Sequence, residues 1–180
     1  IGNNLNFLCT LNESFESYTA GSNTTGQNNF PSYINDAFIG SATWRCRSNG
    51  SPVNKFIQMT AFNTNQSVKS YFIVPVDFTC ASTFSFQSRA SFNNGGVLKV
   101  YYSTNYTPGS NIANAALTDI TATFAISNAN SATAAFTNSG NWNIPVSLTG
   151  NGYILFEYTG SAVSTTPLTT NMDLDNLIVN

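Results

Sequence analysis

Apolar and polar residues in this chain alternate with a period of two, and no segment keeps helical spacing beyond two turns. Residues 83–91 show the pattern best. Phe84, Phe86, Ser88 and Ala90 face one way, and Ser85, Gln87, Arg89 and Ser91 face the other. Residues 97–103 turn Leu98, Val100 and Tyr102 inward and Lys99 and Tyr101 outward. Residues 152–159 do the same with Ile154, Phe156 and Tyr158 against Tyr153, Leu155 and Glu157. Residues 55–62 set Phe56, Gln58 and Thr60 against Ile57, Met59 and Ala61. Residues 70–76 are nearly all apolar, which predicts a central strand covered on both faces and ended by Pro75.

Weaker signals fill the gaps. A first short strand is expected at 13–18, one carrying Trp44 within 38–47, one at 119–126 and one at 142–148 broken by Pro145. The Ala-rich piece 129–136 reads as a helical turn. Asn93-Asn94-Gly95-Gly96 is a hairpin signal. The closing strand, 171–179, points Met172, Leu174, Asn176 and Ile178 one way and Asp173, Asp175, Leu177 and Val179 the other. Two long loops, 19–36 and 104–117, exceed ordinary connections, and the first is a candidate functional or ion-stabilised loop. Eight to ten strands punctuated by turns predict one antiparallel sandwich or closed barrel, with residues 1–12 as a polar lead-in and 13–180 as the domain.

Composition narrows the function classes. Charged residues make up 8% of the 180, while hydrophobic residues reach 42%. Asn, Ser and Thr fill the polar positions, which suits an extracellular protein meeting neutral surfaces such as glycans. A net charge of −2 with six scattered Lys and Arg gives no basic stripe for nucleic acid. The absence of His removes the commonest general base and zinc ligand. No apolar run is long enough to span a membrane as a helix, and no signal peptide is visible. A start at Ile1 without Met reads as a mature form or an excised domain. Cys9, Cys46 and Cys80 allow one bridge at most; buried free thiols are the preferred reading, and a bridge would fit an exported protein.

The order of segments resembles the choice-of-anchor J or cleaved-adhesin domains of Bacteroidetes surface proteins, which are MAM-like jelly rolls. The resemblance is carried by Phe15-Glu16, by Trp44 after a long loop and by the run 71–78 (YFIVPVDF). It continues through Thr83–Phe86, Leu98–Thr104, Trp142–Leu148, Tyr153–Tyr158 and the closing Leu174-Asp175-Asn176-Leu177-Ile178-Val179. It implies a secreted or cell-surface jelly-roll β-sandwich that serves as an adhesion or carbohydrate-binding module of a larger protein. It also implies calcium at the junction of the chain ends, on Glu16 and Asp175 with Asp173 as a possible third ligand and loop carbonyls completing the shell; the competing reading is that Glu16 and Asp175 accept hydrogen bonds from backbone amides or a hydroxyl and bind no metal. A second calcium loop of the family type is absent from 19–36, where Asp36 is the only acid.

The residues themselves offer one further candidate. Gln87, Arg89, Lys99, Tyr101 and Glu157 all point away from the core. If their strands are neighbours they form a polar patch that can hydrogen-bond sugar hydroxyls and stack Tyr101 on a sugar face. The competing reading is a solvated face with a cross-strand ion pair. Trp44 and Trp142 are read chiefly as packing residues. Catalysis has little support: no nucleophile elbow, Ser/His/Asp set or phosphate loop occurs. A glycosidase using carboxylates alone is the last choice, with Glu13, Glu16, Asp119, Glu157, Asp173 and Asp175 eligible. The expected function is therefore non-catalytic recognition of a glycan or a neighbouring surface-protein domain. A calcium-stabilised spacer is the alternative.

Overall fold

The computed structural model describes residues 5–180. In its first half the strands are β1 (Leu11–Glu13), β2 (Ile34–Ile39), β3 (Arg45–Asn49), β4 (Asn54–Met59), β5 (Ser67–Asp77) and β6 (Thr83–Ser91). Then come β7 (Leu98–Ser103), β8 (Thr118–Asp119), β9 (Thr137–Asn138), β10 (Trp142–Asn143), β11 (Asn151–Ser161) and β12 (Asn171–Val179). They form the antiparallel sandwich the alternation predicts. One sheet has seven strands, ordered β10-β6-β12-β4-β3 with β1 against β12 and β9 against β6. The other has five, ordered β2-β5-β11-β7-β8. The chain switches sheets repeatedly, as a jelly roll does. No helix among the described residues is long and apolar enough to cross a membrane.

The core is what the alternation selects. Phe72, Phe84, Phe86, Ile154 and Phe156 are all buried between the sheets. Phe86 meets the rings of Phe124 and Phe156 at 5.0 Å each. Tyr158 is fully buried with its hydroxyl satisfied: it donates to the Thr170 carbonyl at 2.8 Å and accepts from the Ala61 amide at 3.0 Å. Trp44 is fully buried, and Trp142 stacks on Tyr102 at 5.3 Å, so both tryptophans pack.

Several expectations change. The β5 strand runs past Pro75 to Asp77, because its neighbour β2 stops at the Ile34–Ile73 pair and the missing proline N–H removes no ladder bond on that side. The first strand is Leu11–Glu13, earlier than 13–18, and it pairs with Leu177–Val179. The polar lead-in is tied into the fold: Leu8 bridges Val76, and Cys9 is disulfide-bonded to Cys80. The free-thiol reading holds only for buried Cys46. Residues 129–136 form no helix, and 119–126 pass into a single 3-10 turn at Thr121–Thr123.

Two local corrections matter for function. Asn176 adopts a left-handed backbone, φ 46°, and the β12–β6 register shifts between Asp175 and Ile178. This bulge inserts one residue, so Leu177 and Val179 rejoin Met172 and Leu174 in the core while Asp173 and Asp175 stay on the outer face. Strict alternation had put carboxylates and aliphatics on one face. The Asn93–Gly96 turn likewise does not close a hairpin. Its side chains bind elsewhere, Asn93 Nδ2 to the Asn128 carbonyl at 3.0 Å and Asn94 Nδ2 to the Pro167 carbonyl at 3.1 Å. It carries the chain from β6 in one sheet to β7 in the other.

Candidate functional site

That crossing divides the predicted patch. Gln87 and Arg89 lie on the outer face of the seven-stranded sheet, and Lys99, Tyr101 and Glu157 on the outer face of the five-stranded sheet. A patch of all five does not form, because two sheets of a sandwich turn their outer faces in opposite directions.

The first pair is structural. Arg89 donates from Nε to Asp173 Oδ2 at 3.0 Å and brings Nη2 to the same oxygen at 2.9 Å. Its guanidinium lies 4.9 Å from the Phe56 ring centroid and 4.4 Å from that of Phe136, and only 4% of the residue is exposed. Gln58 donates to the other Asp173 oxygen at 2.7 Å and accepts from Arg47 at 2.9 Å. Gln87 donates to Asn138 at 2.7 Å and accepts from Asn176 at 2.8 Å, so both ends of its amide are used. None of these groups is free to meet a ligand.

The other three come together, and with partners the sequence did not reveal. On the five-stranded sheet Asp36, Tyr71, Glu157 and Lys99 lie directly opposite one another across β2, β5, β11 and β7. Same-face neighbours in such a row are close enough to interact. Tyr71 donates its hydroxyl to Glu157 Oε2, and Thr159 donates to Oε1 at 3.3 Å. This fixes the carboxylate at the floor of the face. Lys99 is exposed and pairs with Asp119 at 3.8 Å. In the next row Ile34, Ile73 and Leu155 lead to Tyr101, opposite Asp119. The loop after β7 closes over that apolar row through Tyr106 and Ile112 and leaves the polar row at its margin.

Two clefts flank the Tyr71–Glu157 pair. One, of about 300 Å³, is walled by Phe38, Tyr71 and Tyr106, with Asp36, Ser110 and Asn111 as its polar groups. Phe38 is 42% exposed and meets the Tyr71 ring edge-on at 6.3 Å. The other, of about 520 Å³, is bordered by Lys69, Lys99, Glu157 and Thr159. Partial desolvation raises the Asp36 carboxyl above its usual range. Burial, then Asp36 and Tyr153, pushes the Tyr106 phenol up to about 12. Burial, then Glu157 and Asp119, takes Tyr101 to about 12 as well. Both hydroxyls are therefore neutral donors at ordinary pH. Asp36 could have been suspected as the lone acid of a long polar loop. Tyr71 carried no signal, since its strand is apolar throughout and only register places it beside Glu157.

The proposed metal ligands are placed separately. The Asp173 carboxylate is occupied by Arg89 and Gln58. Asp175 accepts from Asn54 Nδ2 at 2.9 Å and from the Asn176 amide at 2.7 Å, and burial raises its carboxyl to about 6. Glu16 accepts from the Lys55 amide at 2.7 Å. The carbonyls of Glu16 and Tyr18 that would complete a cation's shell both accept from Lys55 Nζ, at 2.8 Å each. Among the described residues, the one set of three acidic or cysteine ligand atoms within 4.8 Å is Cys9, Asp77 and Cys80, whose cysteines are bridged to each other. The oxygens at the chain ends therefore do not fit a calcium ion as they stand.

No protein-family model and no curated protein matches the chain. Solved structures do. The K1 cleaved adhesin domain of Lys-gingipain from Porphyromonas gingivalis W83 superposes with a TM-score of 0.58 at 18% identity, covering 95% of this chain and 97% of that one. The K2 cleaved adhesin domain of Lys-gingipain gives 0.57 at 15% identity, with the same coverage. The chain thus has the fold of the cleaved adhesin domains along 95% of its length.

Proposed function

We propose that this domain is a non-catalytic adhesion module of a secreted or cell-surface protein and binds a glycan chain across the outer face of its five-stranded sheet. The row Asp36–Tyr71–Glu157–Lys99 carries this reading. The exposed Asp36 carboxylate accepts hydrogen bonds from sugar hydroxyls, while buried Glu157 fixes the Tyr71 ring beneath it. Phe38 and Tyr101 offer apolar ring faces to the C–H faces of a sugar, and Lys99 donates. Open clefts on both sides of one floor suit an extended polymer better than a compact metabolite.

Hydrolysis is disfavoured by the same geometry. A carboxylate pair that cleaves a glycoside flanks the bond from two sides. Asp36 and Glu157 instead share one sheet surface with Tyr71 between them. The Cys9–Cys80 bridge supports an oxidising, exported setting.

The test is a glycan-panel titration by affinity electrophoresis and calorimetry, with Phe38→Ala and Asp36→Asn beside the parent protein. Saturable binding to a polysaccharide, weakened about tenfold or more (about 1.4 kcal/mol) by either substitution without release of reducing ends, is expected. Binding untouched by both substitutions, or no binding across the panel, would overturn the site.

A further inference from the structure

The chain-end junction gathers oxygen atoms as a metal site does, yet it already holds a cation. After β1 the chain turns sharply. Phe15 takes a left-handed conformation, φ 57°, and its amide donates to the Glu13 carboxylate at 2.6 Å. Tyr33 closes the other side of that carboxylate at 2.8 Å. The turn presents the Glu16 and Tyr18 carbonyls to the Lys55 ammonium at 2.8 Å each. The backbone amide of Lys55 holds the Glu16 carboxylate, and its neighbour Asn54 holds Asp175 on the closing strand. Two consecutive residues of β4 thus fasten the first loop and the last strand to one point.

We propose that Lys55 is a built-in replacement for a divalent cation at this junction: its ammonium satisfies the carbonyls, and the domain is held together there without calcium. A calcium ion takes six to eight oxygens at 2.3–2.6 Å, and two of those within reach are bound to nitrogen at 2.8 Å. The ammonium also stands as a positive charge where an incoming ion would sit. Removing it leaves two carbonyls and the Glu16 carboxylate facing solvent, with Asp175 nearby. That oxygen set then has no cation.

Thermal melts of the full chain in calcium and in chelator test this, on the parent protein, Lys55→Ala and Lys55→Met. The methionine keeps the stem's packing and removes only the charge. The parent protein is expected to melt at the same temperature in both conditions. Lys55→Met is expected to melt lower in chelator by roughly 2–4 °C and to recover more than half of that loss in calcium. Terbium luminescence sensitised through Tyr18 gives a readout independent of stability, with saturable emission in the variants and none in the parent protein. A calcium-dependent melt of the parent protein, or variants that melt like it in chelator, would overturn the proposal.

Discussion

The two outer faces of the sandwich use similar parts to opposite ends. Each carries a carboxylate in a cross-strand row with a basic residue and aromatic rings. On the seven-stranded sheet the parts close on themselves. Arg89 is bound to Asp173, clamped between Phe56 and Phe136 and reached by the Ala134 carbonyl at 3.5 Å, so the 128–138 segment seals the network. On the five-stranded sheet the covering loop spends Tyr106 and Ile112 on the apolar row and leaves Lys99, Tyr101, Phe38 and Asp36 facing outward. The difference lies in what covers the row, since the residue types are shared.

Substitution should separate the faces most sharply where charge is buried. Arg89→Ala strands the Asp173 carboxylate and should cost about 3–5 kcal/mol, against about 0–1 kcal/mol for Lys99→Ala, whose pair is exposed. Equal urea midpoints for the two variants would erase the distinction. Tyr71→Phe sits between these extremes. It removes the donor that fixes Glu157 and should cost about 1–3 kcal/mol, with glycan affinity falling as the carboxylate loses its orientation.

Acid should act on the faces in opposite directions. The Asp175 carboxyl is raised by burial to about 6, above its unfolded value near 4, so its favourable contribution is complete below pH ~4 and lost as pH rises past about 6. Asp119 on the other sheet is lowered by hydrogen bonds from Thr121, so its contribution is present at neutral pH and lost as pH falls below the usual carboxylate range. Asp175→Asn should flatten the stability slope between pH 4 and 6, and carbon-detected titration of the two carboxyls should show Asp175 titrating well above Asp119. Phe38→Ala gives the smallest change in stability, within about 0.5 kcal/mol, while reducing ligand binding.

The sandwich and much of its core were legible in the sequence, because a period of two sorts side chains without reference to neighbours. Phe84, Phe86, Leu98, Val100, Ile154, Phe156 and Tyr158 all face inward as read. The site was legible only strand by strand. Lys99, Tyr101 and Glu157 face outward and together, but pairing between strands decides the rest. Nothing in Asn93–Gly96 announces that the chain leaves one sheet for the other rather than turning back on itself, so Gln87 and Arg89 were grouped with side chains on the far side of the molecule. One left-handed residue, Asn176, reverses the facing of everything after it in β12. Lys55 could not be matched to Glu16 and Tyr18, since the contact spans distant segments and depends on carbonyl directions.

The Cys9–Cys80 bridge also decides how the molecule carries tension. A pull on the N-terminal side reaches Cys9 and passes covalently to Cys80 before it can load β1. At the other end, the Asn180 carbonyl accepts from the amide of Thr83 at 2.9 Å, and Val179 pairs with Phe84. Both ends are therefore anchored on the short stretch from Cys80 to Phe84. Stretched between its ends, the oxidised protein should transmit force through that stretch and begin to yield by peeling β12 from β6. In the five-stranded sheet the pull loads only the Leu8–Val76 bridge ahead of Cys9, so a grip on the outer face of that sheet would outlast the first slack in the tether.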